Sequence, residues 1–509
     1  MRLLTIVGLV LCSTALDFHA QPATNTNSPA RPISLEESIE LALRQNLDVQ
    51  ISRINPEIAR FNLSIAYADW EPAFSASGTH TFSSTPGGID AQGRPFFATR
   101  SEADSFAANV GPGGTLGGLL PSGGTYNLSG TASDTIFTTL GPTNNTIREN
   151  SRGNVTLNLR QPVLKNFWID TTRMNIRANK NRLKYSELAL RLAIMTVVNN
   201  VAQAYYELIF ARENIKVQQA ALQLAERLVS ENRKRVQVGT LAPLDEKQAE
   251  SQAAASKADL LTAQITFENQ ENVLKGLMTA NYAELHDTEL VPTEVLAAPV
   301  PVLNLKESWA KGMTQRPELL QSRLDVERQN IILRFTYNQL FPELDLIGSY
   351  GFAGSGKEFS DAFGQIRNGS SPNYSFGASI TLPLWNGGPR SNYRISKEQK
   401  KQLLLTLKSL EQTILIQIDN GVKQVQNAFE RVDATRQARL YATTALDAEQ
   451  KKLESGKSTS FQVLQLQRDL TASRSAEVRA LADFNKALSQ LHFLEGSILE
   501  RNHLGVEVK

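Results

Sequence analysis

The sequence predicts a mixed α+β membrane protein: two copies of one unit, each pairing long helices stacked into a rod with strands gathered at one end. Three observations predict it. The 509-residue chain repeats itself at fixed offsets. Two long stretches, Arg173–Val238 and Ser391–Ser455, contain a single Gly and no Pro between them. Alternating segments of about ten residues flank both stretches, too few to close a barrel within one chain.

Composition bounds the reading. With 41% apolar and 20% charged residues the chain can bury a core, and a net charge of +2 argues against a protein that binds nucleic acid through its phosphates. Met1 and Arg2, the apolar run Leu3–Leu11 and the small residues Ser13–Thr14–Ala15 read as a secretory signal peptide, taken as 1–20, with cleavage after Ala15 or Ala20. The only cysteine, Cys12, lies inside it. A lipoprotein anchor on Cys12 is the weaker reading, because Leu11 stands where a small residue is wanted. Beyond this leader no run of 18 uncharged apolar residues occurs, so no membrane helix is expected.

Residues 34–78 align without gaps on 304–348, with 11 identities in 45 positions, among them Glu37/Glu307, Arg53/Arg323, Tyr67/Tyr337, Pro72/Pro342 and Gly78/Gly348. Chance would give about three. A second block at offset 217 pairs Arg173/Arg390, Arg177/Arg394, Gly239/Gly456 and Gln248/Gln465. These offsets divide the chain into an N-terminal linker 21–33, a first repeat 34–285, a linker 286–303, a second repeat 304–497 and a tail 498–509.

Each unit opens with a helix, about 35–70 and 305–340, followed by a Pro and an alternating strand. After a variable loop, a second strand ends at Pro162 or Pro383, and the long helix begins. At 1.5 Å per residue such a helix spans roughly 100 Å. Val197, Val201, Ala204, Leu208, Ala211 and Ile215 step by threes and fours, and Ile414, Ile418, Gly421, Val425, Ala428 and Val432 repeat the seam. Gly239 and Gly456 end the long helices by left-handed caps. Return helices follow, Pro243–Leu277 and Ser460–Leu494. Each return helix and one opening helix together match the length of the long helix beside them.

Among the strands, Phe74, Ala76, His80 and Phe82 alternate with Ser75, Ser77, Thr79 and Thr81, and 125–136, 155–160, 346–352 and 374–382 behave alike. Apolar toward lipid and polar toward a lumen is an outer-membrane pattern, although a soluble sheet with one buried face also alternates. Two strands per unit give four per chain. Lipid tolerates no open sheet edge, so several chains would share the barrel, and three would supply twelve strands. The stretch 86–150 is either an outward loop or an added hairpin.

The whole mature chain resembles the TolC-like outer-membrane efflux family, in both repeats. The resemblance rests on SLEESIELALRQN at 34–46, LRQPVLKNF at 159–167, LPLWNGG at 382–388, VGTLAPLDEKQAE at 238–250 and SGKSTSFQVLQLQ at 455–467, in that repeated order. It implies a homotrimer in the outer membrane: a shared twelve-stranded β-barrel, four strands per chain, continued by a helical tunnel through the periplasm. It also implies a duct without catalysis or cofactor, served by an inner-membrane pump and a periplasmic adaptor protein and surrounded by outer-membrane lipid. By position, Val238, Gly239, Thr240 and Leu241, with Gly456, Lys457 and Ser458, correspond to the adaptor-docking helix tips. For the two glycines plain helix capping is an equal alternative. The periplasmic aperture corresponds to Gln462 and Gln465, with Asp245 as the first-unit counterpart of Gln462. The family pattern can place aspartates at the two glutamine positions, and their absence here argues against strong cation capture at the entrance. For Asp245, stabilisation of a helix N-terminus is the simpler role.

Enzymatic readings find no support. The five histidines have no metal-ligand spacing, so neither a metal nor another cofactor is expected, and GKST at 456–459 lacks the earlier Gly and the preceding strand of a phosphate loop. The remaining rival is a periplasmic or surface coiled-coil protein that binds partners without forming a pore.

Overall fold

Prolines, glycines and capping side chains set the element boundaries. The computed structural model describes residues 30–112, 118–141 and 143–502. The expected signal peptide with Cys12, most of the 21–33 linker and the end of the tail lie outside the described residues.

Strand β1 (Ala30–Ile33) precedes helices α1 (Leu35–Gln45) and α2 (Leu47–Ala68). A single opening helix was the expectation, and the structure divides it. Asn46 takes extended backbone, φ −61° and ψ 129°, and its side chain accepts from the Asp48 and Val49 amides, capping α2. Strands β2 (Pro72–Thr85), β3 (Gly88–Ile89), β4 (Pro95–Phe96), β5 (Thr99–Pro112), β6 (Gly118–Leu119), β7 (Thr125–Thr139) and β8 (Thr146–Pro162) follow. Helix α3 (Thr171–Gln237) then runs 67 residues, and α4 (Pro243–Met278) returns along it with Pro243 in its first turn. A short α5 (Tyr282–Leu285) leads to β9 (Glu289–Pro292).

The second half repeats these lengths. Helices α6 (Leu305–Gln315) and α7 (Pro317–Asn338) have 11 and 22 residues, as do α1 and α2. They part at Arg316, which Pro317 bars from helical backbone. Strand β10 (Glu343–Gly356), helix α8 (Phe359–Arg367) and strand β11 (Pro372–Thr381) follow, then α9 (Gly387–Glu454), α10 (Ser460–Glu495) and α11 (Ile498–Arg501).

Around the rod the helices neighbour one another in the order α2–α3–α7–α9 near the sheet and α4–α3–α10–α9 toward the tips. The seam is buried as the spacing requires: Val201, Leu208, Ile414, Ile418 and Val425 are at 0% exposure. At Gly421 an added Cβ would come within 3.0 Å of Leu494 and 3.3 Å of Leu491, so glycine there lets α9 and α10 approach closely. Polar contacts fix the register of α10 on α3. Glu207 meets Arg479 at 2.6 Å and Lys486 at 2.7 Å, and across the same seam Asn199 accepts from the Ser489 hydroxyl and donates to Gln490. Burial pushes the Glu207 carboxyl up, yet the two cations outweigh it and hold it below its ordinary value.

Each of the two segments expected to be linkers carries a strand. β1 and β9 pair in parallel and wrap α3, where the Tyr205 hydroxyl donates to the Ile33 carbonyl at 3.1 Å. The tail begins with α11, whose Ile498 and Leu499 are buried.

The expectation of four strands per chain is corrected. One sheet runs β11–β10–β8–β7–β5–β2, six long antiparallel strands with β6 paired beside β7. Stretch 86–150 therefore supplies a full-height hairpin, β5 and β7. Charged residues on the alternate positions of β5, Arg100, Glu102 and Asp104, hid that strand from a periodicity argument.

Candidate functional site: helix tips and a two-faced sheet

At the far end of the rod, α3 and α9 close with the same cap. Gly239 has φ +78° and Gly456 φ +75°. The Thr240 amide donates to the Arg235 carbonyl and the Lys457 amide to the Lys452 carbonyl, each at 2.8 Å, a Schellman pairing that satisfies the last carbonyls. Among the described residues, no atom beyond the adjoining ones lies within 4 Å of an added Cβ at either glycine, so the backbone conformation alone demands them.

Val238 is 73% exposed, and Gly239, Thr240, Gly456 and Lys457 are exposed too, while Leu241 and Ser458 are half-buried. The Ser458 hydroxyl bonds Glu449 at 2.5 Å, and with Lys452 it holds that carboxylate below its ordinary range. Asp245 lies in the first turn of α4 beside Glu246, where an acid offsets the helix dipole. Gln462 and Gln465 are both exposed on one face of α10, and Gln465 donates to Asp469 at 3.3 Å. Asp469 continues the 462–465 spacing by one more step, so a carboxylate does stand on this face, one turn farther along.

Sequence reasoning missed the residue that ties the tips together. Asn232 of α3 is 1% exposed. Its amide donates to the Asp245 carbonyl of α4 at 3.2 Å and its oxygen accepts from the Ser460 hydroxyl of α10 at 3.1 Å. Nearby, Arg235 donates to the Leu453 carbonyl of α9 at 3.3 Å. One buried amide thus joins the ends of three helices. Arg233 bridges Glu246 and Glu250 of α4 on the outside, raising its own pKa through the Glu246 hydrogen bond first.

At the other end, register assigns every strand residue to one of two faces. One face carries Phe74, Phe106, Leu128, Val155, Leu157, Leu159, Tyr350, Tyr374, Phe376 and Ile380, all exposed, Phe376 at 86%. The other carries Ser77, Thr79, Ser105, Ser129, Thr156, Asn158, Ser349 and Ser375. Exposed aromatics on one side and hydroxyls on the other suit lipid and water respectively.

Helix α8 lies on the apolar face near the end remote from the rod. It can do so because Gly153 and Gly354 face it: added Cβ atoms would meet Ile366 Cδ1 at 2.7 Å and the Ala362 carbonyl at 2.0 Å. Its Gln365 bonds both the amide and the carbonyl of Ser355, covering the edge of β10 beyond the end of β11.

Comparison with known proteins agrees with this architecture. The family described as outer membrane efflux protein matches residues 123–280 and 313–497, more than half of the chain. The outer membrane protein TolC of Vibrio cholerae serotype O1 is 23% identical over 318 residues, covering 61% of this chain and 70% of that protein. Nodulation protein T of Rhizobium leguminosarum bv. trifolii is 20% identical over 482 residues, covering 91% and 85%. In fold, the chain is similar to the CmeC outer membrane channel of Campylobacter jejuni, with a TM-score of 0.65 at 17% identity over 93% of this chain and 90% of that one. Similarity to the outer membrane protein VceC of Vibrio cholerae is of the same order, a TM-score of 0.65 at 19% identity over 91% and 96%.

Proposed function

Because the chain belongs to the outer membrane efflux protein family, we propose that three copies assemble into one passive exit duct, a shared barrel in the outer membrane continued by a helical tunnel through the periplasm. Its place is the outer membrane, and members of its family are channels, not enzymes. The duct takes cargo, small molecules or a secreted polypeptide, from an inner-membrane pump through a periplasmic adaptor. It lowers the barrier to polar solutes by keeping them in water across the lipid.

The observation that carries this reading is the two-faced sheet with bare edges. Among the described residues, strands β2 and β11 have no neighbour on their outer sides, and nearly all of their own residues are exposed. Unpaired peptide groups cannot face hydrocarbon. Since β2 runs away from the rod and β11 toward it, β2 of one copy is antiparallel to β11 of the next, and a ring of copies continues the meander.

The helices point the same way. Leu47, Ile51, Ile54, Ile58, Phe61 and Ile65 form a heptad seam along α2, each at least half exposed. Their environment differs from that of α7, which lies between α3 and α9 and whose Leu324, Ile331 and Phe335 are covered to a greater degree. If 34–285 and 304–497 are copies of one unit, the neighbour missing from α2 is α9 of a second chain. Three chains then give pseudo-sixfold order.

In this reading the tips Val238–Leu241 and Gly456–Ser458 dock the adaptor. The ends of α4 and α10, with Asp245, Gln462 and Gln465, line the periplasmic aperture, which opens as the tip coils twist apart around Gly239 and Gly456. Detergent-extracted protein is expected to have the mass of three chains, and Ile58→Glu with Ile65→Glu to release single chains. A wild-type protein that is extracted as a single chain overturns the proposal.

A further inference from the structure

We propose that each copy contributes six strands to the barrel, eighteen in a trimer, so that the outer-membrane section is as wide as the helical ring feeding it. This inference rests on the trimeric duct proposed above. Its first support is that the added hairpin stands inside the sheet. β2 pairs β5 from Pro72↔Pro112 to Thr85↔Thr99, and β7 pairs β8 from Thr125↔Arg160 to Thr139↔Thr146. β5 and β7 pair from Val110↔Leu128 to Thr99↔Thr139. No β2 residue is registered against β8, so the hairpin separates these strands over their whole height.

The chemistry of the two faces also continues across the hairpin. Phe106, Ala108, Leu128, Ala132 and Ile136 extend the apolar face, while Ser101, Ser105, Ser129, Thr131 and Ser133 extend the polar one. Charges on the apolar face, Glu102, Asp104 and Asp134, gather toward the end remote from the rod, where Asp104 meets His80 at 2.7 Å. A hairpin with this pattern suits lipid on one side and water on the other. Because two strands were added, the antiparallel relation of the free edges is preserved.

Perimeter supplies an independent argument. At every level the rod presents four helices per chain. Spaced about 9–10 Å apart, four helices occupy an arc of about 38 Å. Six strands about 4.8 Å apart and tilted about 40° occupy the same arc, whereas four would occupy about 25 Å. Eighteen strands make a barrel about 36 Å across between backbones, against about 24 Å for twelve. The strand count thus removes the step between tunnel and barrel.

Cysteine pairs in full-length protein carrying Cys12→Ser test the count. Thr79 and Ser105 face each other with hydroxyls 2.6 Å apart, and Ser129 opposes Thr156. Thr79→Cys with Ser105→Cys, and Ser129→Cys with Thr156→Cys, should each form a disulfide within one chain in extracted trimers. Thr79→Cys with Thr156→Cys should not. Pairing Ser77→Cys on β2 with cysteine scanned through 375–379 on β11 should link neighbouring chains at one register. A Thr79–Thr156 crosslink without the first two overturns the eighteen-strand barrel, and so does failure of every β2–β11 pair. The mass of the same extracted material separates the two claims, because a trimer with the wrong crosslinks refutes only the strand count and a single chain refutes the duct.

Discussion

Replacing Asn232 by Ala should open the periplasmic end. In the closed arrangement the Asn232 side chain is the partner of the Ser460 hydroxyl, itself at 0% exposure, and of the Asp245 carbonyl. The carbonyl belongs to the first turn of α4 and keeps a helical acceptor role, so the hydroxyl is the group left without a partner. Stranding one buried hydroxyl costs about 1–3 kcal/mol. When the tips separate, water reaches Ser460 and the penalty disappears, so the substitution destabilises the closed state alone. Taking about 2 kcal/mol, the opening equilibrium shifts about 30-fold per chain. Asn232→Asp keeps an acceptor for Ser460 but loses the donor to Asp245, and should fall between the two. Open probability of single channels in planar bilayers reads the effect directly. A lowered melting temperature with unchanged open probability would refute the reasoning, for it would mean that Asn232 stabilises both states equally.

Other consequences can be checked separately. Gly239→Ala and Gly456→Ala each force a side chain into left-handed backbone with no steric clash, so each should lower stability by about 1 kcal/mol in chemical denaturation. Val238→Asp with Leu241→Asp should instead leave the melting temperature within a few degrees and abolish adaptor pull-down, which distinguishes docking from capping. His492 is half-buried near Arg501, Glu495 and Lys311, and desolvation first, then Arg501 and Lys311 against the opposing pull of Glu495, pushes its pKa down to about 4. An unfolded chain would protonate it near 6.5, so its neutral form stabilises the fold fully above that pH. That contribution, at most about 3 kcal/mol per chain, is lost between about 6.5 and 4, and His492→Gln should flatten the melting temperature over this window. Arg148 and Arg152 of β8 lie on the polar face and make no ion pair among the described residues. Arg152→Glu should shift the reversal potential in a salt gradient toward cations.

The helices were legible because their signals are local. Gly239, Gly456, Pro243 and the uninterrupted runs between them locate α3, α4, α9 and α10 to within a few residues. Breaks at Asn46 and Arg316 carried a signal too, a capping side chain and a following proline, which the reading of one helix over 35–70 and 305–340 passed over. Six strands could not be counted from alternation, because β5 carries charged Glu102 and Asp104 on the face that is apolar nearer the rod. Those charges find their setting only across strands, against His80 and Asp134. The same holds at the tips. Asn232 and Ser460 are 228 residues apart and neither is unusual in its own helix, so their bond is a property of the packed rod alone. Likewise, the α2 seam reads as ordinary core until the chain is seen to leave it uncovered.

Conductance of purified full-length protein in a planar lipid bilayer tests the central claim most directly. A water-filled duct predicts discrete current steps from membrane-inserted trimers, ohmic and insensitive to any energy source. Protein that stays in water as single chains and passes no current at any concentration would contradict it.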